Sequence, residues 1–295
     1  MGFIDTIKAR AKADKKVIVL PETEDRRTYE ATAQILKEGI ADVVLVGSEE
    51  AIKKGSEGLD ISGAKIVDPA TSEKTQGYID KLVELRSKKG MTPEQAKEIL
   101  LNQYLYYGVM MVKMGDADGM VSGACHSTAD TLRPCLQILK TKPGTKLVSA
   151  FFLMVVPDCE YGANGTFVFA DSGLNQNPNP EELAAIAASS AESFKLLVEE
   201  EPVVAMLSHS TKGSAKHADV DKVVEATRIA KEQNPDLKLD GEFQLDAAIV
   251  PSVGASKAPG RMLWKLEETA KGIAWNYQEG VTGSIPVISL QSSLK

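Results

Sequence analysis

Residues 118–134 bring hydroxyl side chains, glycine and an arginine together where the hydrophobic pattern changes. A short apolar run ends at Ser122-Gly123, and apolar residues return at helical spacing after Thr128. This order predicts a strand end, a tight loop and a helix start, whose backbone N–H groups and helix dipole favour an anion. The stretch also supplies donors that suit phosphate: Ser122, Ser127, Thr128, Thr131 and Arg133.

A plainer interpretation of the same residues stays open at this point. Ser127 or Thr128 would then only cap the helix, while Arg133 would pair with a carboxylate on the surface. A second polar stretch, 208–214, also follows an apolar run and is predicted at the carboxyl edge of a sheet. There, Lys212 is predicted either to contact a ligand phosphate or to be solvated, and His209 to be structural.

Several long blocks of the sequence, in the same order, resemble the phosphate acetyltransferases, the enzymes that interconvert acetyl-CoA and acetyl phosphate. The resemblance covers about residues 1–260. Its blocks are 21–27 (PETEDRR), 39–42 (GIAD), 118–134, 156–162 (VPDCEYG), 169–173 (FADSG), 210–215 (STKGSA), 246–251 (DAAIVP) and 255–260 (ASKAPG).

The resemblance assigns roles to three basic residues. It makes Arg133 the catalytic arginine that binds phosphate and stabilises charge, and Arg86 a second catalytic arginine that binds substrate. By pattern alone, Arg86 is a surface charge on a helix. Lys257 matches a block close to the family's active-site cleft, so it is expected to bind substrate.

The reaction implied by the resemblance is direct acyl transfer in a cleft between two domains. The CoA thiolate attacks the acetyl carbonyl of acetyl phosphate, and phosphate leaves without a covalent enzyme intermediate. A general base assists because a free thiol is mostly protonated at neutral pH. The arginines and the loop N–H groups are expected to stabilise the developing charge. CoA is therefore a substrate, and no tightly bound cofactor is expected.

Composition restricts the partners and the location. A net charge of −7 argues against a general nucleic-acid binder. The three cysteines are scattered and the three histidines lack ligand spacing, so we expect reduced thiols, a cytoplasmic protein and no metal site. No apolar run approaches the roughly 20 residues of a membrane span, and no membrane partner is expected. The resemblance favours a homodimer.

Alternating strands and helices predict an α/β protein with mostly parallel sheets. The resemblance implies two three-layer α/β/α domains, as in phosphotransacetylases, of the isocitrate/isopropylmalate dehydrogenase-like type. A polar, turn-rich stretch places the boundary between domains 1–144 and 145–260. Within them we predict helices over 72–89 and 92–114, and a buried strand over 147–156.

The resemblance stops near Gly260. The family continues with an Asn-Asp-Leu-Ser-Arg-Gly block and an aspartate that serves as general base, and residues 261–295 resemble neither. We expect a truncated or frame-shifted reading with impaired turnover; a recombined ending is the alternative. A non-catalytic CoA/phosphate-binding remnant and a phosphate butyryltransferase-like enzyme are the other candidate functions. A helix face over 262–277 and a short edge strand over 285–290 are predicted in this tail.

Overall fold

The computed structural model describes residues 2–145 and 147–259, together with the backbone of 273–276 and 290–291. The chain forms two compact units and passes from the first to the second between Lys142 and Pro143. Within the described residues, no helix is long and apolar enough to cross a lipid bilayer.

The first unit is built on a five-stranded sheet in the order β10-β4-β1-β2-β3. Its strands are β1 (Val17–Leu20), β2 (Asp42–Val46), β3 (Lys65–Val67), β4 (Gly119–Met120) and β10 (Leu290–Gln291). All pairs are parallel except β10 with β4. Its helices are α1 (Phe3–Ala13), α2 (Arg26–Glu38), α3 (Glu49–Gly55), α4 (Thr75–Arg86), α5 (Pro93–Asn102), α6 (Tyr104–Met114) and α7 (Thr128–Ile138), with a 3-10 turn at Ser87–Lys89.

Side chains along β2 alternate between two cores, because successive residues of a strand point to opposite faces. Val44 and Val46 pack with residues of α4 to α7. Val43 and Leu45 pack on the other side with Tyr29 of α2 and with α3. Helices therefore cover both faces of the sheet, and the predicted three-layer arrangement is confirmed for this unit.

The second unit repeats this architecture around a sheet in the order β5-β6-β9-β7-β8. Its strands are β5 (Phe151–Val155), β6 (Thr166–Ala170), β7 (Val203–Leu207), β8 (Lys238–Phe243) and β9 (Ile273–Asn276). Only β5 is antiparallel to its neighbour among these strands. Its helices are α8 (Pro180–Val198), α9 (Ala218–Gln233), α10 (Leu245–Ile249) and α11 (Pro251–Lys257).

The same alternation separates two cores in the second unit. Val204 and Met206 pack against α8 and α9, including the fully buried Phe194. Ala205 and Phe243 belong to the opposite core, which includes residues of α10 and the end of α11. The prediction of an α/β protein with mostly parallel sheets is confirmed.

Three predicted elements differ from the structure. The helix over 92–114 is wrong, because Gln103 has φ −127° and ψ 90° and separates α5 from α6. No Gly or Pro marks that break in the sequence. The helix over 72–89 ends at Arg86 and continues only as a 3-10 turn. The strand over 147–156 is the shorter β5, a sheet edge whose Met154 is 37% exposed rather than buried.

The tail also departs from its predicted pattern. The pattern predicts Ile273 on a helix face, but Ile273 lies in β9, between β6 and β7, so this part of the helix prediction is wrong. The rest of that face (Met262, Leu266, Ala270, Tyr277) lies outside the described residues. Leu290, the last residue of the predicted edge strand, lies in β10 at the edge of the first sheet. The other residues of that segment are likewise outside the described part.

Candidate active site

The loop between β4 and α7, residues 121–127, is called here the β4–α7 loop. It ends at Ser127, which caps α7: its hydroxyl accepts a hydrogen bond from the Asp130 N–H at 3.2 Å and donates to Asp130 Oδ2 at 2.6 Å. Thr128 follows as the first residue of the helix and is half-buried. The capping role considered for Ser127 in the sequence is therefore present.

Glu22 holds this loop from the neighbouring strand. It lies two residues after β1, which pairs with β4, and it is 2% exposed. Its carboxylate accepts hydrogen bonds from the backbone N–H groups of Gly123 (2.6 Å), Ala124 (2.7 Å), Cys125 (3.1 Å) and His126 (3.0 Å). The expectation that these four N–H groups bind a substrate anion is wrong, because an internal anion already occupies them.

Glu22 is ionised at neutral pH. Burial alone would raise the pKa of its carboxyl, but the hydrogen bonds from Ala124, Cys125, His126 and Gly123 outweigh burial and lower the pKa to about 2. A fixed negative charge thus lies beneath the loop. This charge attracts cations near the loop, in addition to the attraction that a bound anionic substrate would exert.

His126 stands between two carboxylates. Its Nδ1 is 2.9 Å from Glu22 Oε1, and its Nε2 is 3.5 Å from Glu24 Oε1. Because Glu22 is ionised and can only accept a hydrogen bond, we assign the ring proton to Nδ1. No local pattern singles out His126, because its partner Glu22 lies 104 positions away in the sequence.

Cys125 lies against the same group, with its Sγ 3.5 Å from His126 Nδ1 and 3.7 Å from Glu22 Oε1. Burial first, and then the charges of Glu24 and Glu22, raise the pKa of its thiol to about 12. These three side chains bring possible metal-ligand atoms within 4.8 Å of one another. However, the carboxylate is already satisfied by backbone donors and the thiol stays protonated, so we assign the cluster to holding the loop.

A cavity of about 550 Å³ opens beside the loop. The junction of α5 and α6, residues 101–106, forms one part of its wall. Four charged or titratable side chains complete the wall: Glu24, His126, Asp130 and Arg133. Polar and charged side chains make up most of this wall, which suits a polar ligand rather than an apolar one.

Arg133 is the lining residue best placed to bind an anionic ligand. Its side chain is 58% exposed, and its Nη1 lies 3.9 Å from Asp130 Oδ1. This distance is too long for a hydrogen bond, so the pairing with a surface carboxylate is loose and leaves the guanidinium able to bind a ligand.

Arg86, the last residue of α4, lies in the same region. Burial raises the pKa of Tyr106, and the charges of Arg133 and then Arg86 oppose this rise, so both arginines lie close to that side chain. Four buried side-chain atoms have no hydrogen-bond partner among the described residues: Arg86 Nε, Ser122 Oγ and Thr131 Oγ1 in the first unit, and Ser190 Oγ in the second. Unsatisfied buried donors are costly, and the three in the first unit belong to residues predicted to bind substrate.

A family model described as Phosphate acetyl/butaryl transferase matches residues 2–265. The chain belongs to this family. It is 57% identical to the phosphate acetyltransferase of Acetivibrio thermocellus over 260 residues, which cover 88% of this chain and 78% of the relative. The phosphate acetyltransferase of Thermoanaerobacterium thermosaccharolyticum is 56% identical over 260 residues, 88% of this chain and 79% of the relative.

Solved structures agree with this membership. The EutD phosphotransacetylase from Staphylococcus aureus superposes with a TM-score of 0.81 at 40% identity, covering 93% of this chain and 81% of that one. The resemblance recognised from the sequence blocks is thus confirmed. By family, the chain is an acyltransferase with the phosphotransacetylase fold.

The second unit of this acyltransferase carries the other polar loop, residues 208–217 between β7 and α9, called here the β7–α9 loop. Lys212 is neither solvated nor directed at a ligand, because its Nζ lies 3.0 Å from the buried Asp240 Oδ1 and also donates to the Gly241 carbonyl. The His209 ring packs edge-on against His217 at 5.9 Å between centroids.

Lys257, predicted to bind substrate, also lies in the second unit, on α11. Its Nζ contacts Asp246 Oδ2 at 2.8 Å and Gln244 Oε1 at 3.0 Å. Its ammonium thus has partners within its own unit, whereas Arg133 and Arg86 share the region around Tyr106 in the first unit.

Proposed function

We propose that the chain is a phosphate acetyltransferase that converts acetyl-CoA and phosphate into CoA and acetyl phosphate by direct thiolate attack. Relatives more than half identical over 88% of the chain bear that name, which supports the acetyl substrate. CoA enters and leaves as a substrate, with no tightly bound cofactor. The observation that carries the proposal is the exposed guanidinium of Arg133 in the wall of the cavity, where its pairing with Asp130 is loose.

In this proposal, the phosphoryl group lies against Arg133. Its oxygens take hydrogen bonds from the buried donors of Arg86, Ser122 and Thr131. Negative charge develops on the tetrahedral oxyanion and on the departing phosphate, and preorganised donors stabilise such charge most strongly when water is excluded. Thr128 and the Ser127 hydroxyl are further candidate contacts at the first turn of α7. Lys257 remains a candidate substrate contact in the second unit.

Thiol release from acetyl-CoA in the presence of phosphate tests the proposal. Arg133→Ala should reduce kcat/KM for phosphate about 10²–10³-fold, the typical cost of one charge-stabilising donor. Arg228→Ala is a matched control, because Arg228 is exposed on α9 and pairs with Glu225 and Glu232. An unchanged kcat/KM in Arg133→Ala would refute the assigned site.

The alternative of a non-catalytic CoA/phosphate-binding remnant is decided by calorimetry beside the assay. Binding of CoA without thiol release by a folded protein would favour it. We propose instead a lowered turnover, since residues 261–295 do not resemble the family's Ser-Arg block or its aspartate base. Comparing kcat with that of a family member tests this, and equal values would contradict it.

Acyl preference, assembly and location complete the proposal. We propose an acetyl rather than butyryl substrate, a homodimer and a cytoplasmic enzyme. The ratio of kcat/KM for acetyl-CoA and butyryl-CoA tests the first, and light scattering on the purified protein tests the second. A ratio that favours butyryl-CoA would support the phosphate butyryltransferase-like alternative.

A further inference from the structure

We propose that Tyr106 is a positioning residue for the two arginines of the candidate site, with a hydroxyl oxygen that allows Arg86 and Arg133 to lie together against one phosphate. This role rests on the proposed acyl transfer, because it concerns how the groups that stabilise charge in that reaction are kept in place. The chain places Tyr106 in an apolar, aromatic stretch, where no local pattern distinguishes it from a core residue.

The break between α5 and α6 fixes the position of Tyr106. The backbone leaves the helix at Gln103 and α6 begins one residue later, so Tyr106 lies in the first turn of α6. There it lines the cavity together with Arg133. Tyr106 is only 8% exposed, and a buried tyrosine usually needs a hydrogen-bond partner for its hydroxyl.

The partner of this hydroxyl lies on α7. Tyr106 Oη donates a hydrogen bond to Gln137 Oε1 at 3.1 Å. Gln137 follows Arg133 by four residues, a spacing that places both on the same face of the helix. The bond therefore attaches α6 to the face of α7 that carries Arg133. Because the amide oxygen can only accept, the phenol uses its proton here and keeps its lone pairs for a cation.

Two guanidinium groups lie close to the same phenol. Burial raises the pKa of Tyr106 and the charges of Arg133 and Arg86 oppose this rise, so the phenol stays neutral at neutral pH while both cations act on it. Two like charges that converge on one site repel each other. A neutral oxygen dipole between them reduces this repulsion, and it does not compete with phosphate as a full carboxylate would.

Arg86 has particular need of such support. Its Nε is buried and has no hydrogen-bond partner in the described part of the chain. Arg133 is held only loosely, at 3.9 Å from Asp130 Oδ1. The phenol oxygen thus faces two cations that their other neighbours leave weakly fixed. Packing of α6 against α7 depends on the ring of Tyr106, whereas the proposed role depends on its oxygen alone.

Tyr106→Phe separates these two properties, because it removes the oxygen and keeps the ring. We expect kcat/KM for phosphate to fall about 10- to 100-fold, the usual contribution of an interaction with a charged group. The Tm should stay near wild type, since Gln137 is half-buried and water can replace the lost bond. Tyr78→Phe is the matched control and should keep wild-type kinetics. It also removes a buried hydroxyl, which donates to Asp116 outside the cavity wall.

Repeating Tyr106→Phe in an Arg133→Ala background tests whether the oxygen acts through the arginines. The repulsion that it reduces requires both cations, so the double variant should have a kcat/KM close to that of Arg133→Ala. A structural role would instead give the same fold loss in both backgrounds. That result, or an unchanged kcat/KM in Tyr106→Phe alone, would overturn the inference and leave the proposed function intact.

If the wild-type protein releases no thiol, the proposed function fails separately. The Kd of inorganic phosphate, measured by calorimetry, then decides the role of Tyr106. Weaker binding in Tyr106→Phe than in wild type and Tyr78→Phe supports the positioning role. Equal Kd values in the three proteins, or no phosphate binding to any of them, overturn it.

Discussion

The two units of the molecule build their polar loops in the same way. In the first, Glu22 at the end of β1 accepts N–H bonds from the loop that follows the neighbouring strand β4. In the second, Glu242 on β8 accepts hydrogen bonds from Ser210 Oγ (2.9 Å) and the Gly213 N–H (2.7 Å) of the loop that follows β7. Both carboxylates are nearly inaccessible, at 2% and 3% exposure.

The two units differ in what the basic side chains near these loops contact. In the second, Lys212 and Lys231 both contact the buried Asp240, at 3.0 and 2.6 Å, so their charge neutralises an internal group. In the first, Arg133 is exposed in a cavity wall, and its ion pair within the described part of the chain is the loose one with Asp130 at 3.9 Å. One architecture thus supports a structural loop and a loop available to a ligand, and the placement of cations distinguishes them.

The largest difference between the loops should appear when their carboxylates are neutralised. Glu22→Gln should abolish thiol release and cost about 3 kcal/mol in the free energy of unfolding, the equivalent of a pKa of about 2 against 4.5. Glu242→Gln should cost about 1 kcal/mol, because its carboxylate accepts only two hydrogen bonds from the described residues and Gln keeps an acceptor oxygen. Urea unfolding at pH 7 measures both.

The pH dependence of Glu22→Gln sharpens this result. A folded-state pKa below the unfolded value stabilises the protein above about pH 4.5, and this stability is lost as the pH falls towards about 2. The wild type should therefore lose stability across this window more steeply than Glu22→Gln. Parallel curves for the two proteins would show that the carboxylate is not the group that ties down the loop.

Removing a cation should separate the loops next. Lys212→Met should cost about 1–2 kcal/mol in stability, since Asp240 keeps Lys231 as a partner, and should leave the KM for phosphate unchanged. Arg133→Ala should behave in the opposite way, with lost activity and a Tm near wild type. If Lys212→Met were stable but had a raised KM for phosphate, Lys212 would contact the ligand. The proposed difference between the two loops would then be wrong.

The helix caps should show the smallest effect. Ser127→Ala and Asn179→Ala each remove an N-cap, of α7 and α8 respectively, and each should cost about 1 kcal/mol. If Ser127 also binds phosphate, Ser127→Ala alone should raise the KM for phosphate several-fold. Thermal unfolding together with initial rates measures both properties. Equal kinetics in the two variants would limit Ser127 to capping.

Patterns along the chain were sufficient for the α/β fold and for the helix start at α7, because hydrophobic periodicity and capping residues are local. They were insufficient at Gln103, where a helix breaks without Gly or Pro. They also misassigned Ile273, which joins β9 in the middle of a sheet through pairing with strands far away in the sequence.

The candidate site was likewise only partly predictable from local sequence patterns. Only the family resemblance predicts catalytic roles for Arg133 and Arg86, and their shared position around Tyr106 emerges only from the fold. Glu22 looked like an ordinary residue before a helix, yet it occupies the N–H groups that seemed free in the β4–α7 loop. A contact between residues about a hundred positions apart carries no local pattern.

That separation has a kinetic consequence. Glu22 and Gly123 are 101 positions apart in the sequence. Forming their contact therefore costs the conformational entropy of closing a long loop before the hydrogen bonds can compensate for it. Contacts of high sequence separation slow folding. During refolding from urea, catalytic competence should consequently return with the slowest assembly of the first sheet and lag behind helix formation. The rate at which thiol release recovers would then measure how fast the first unit completes its folding.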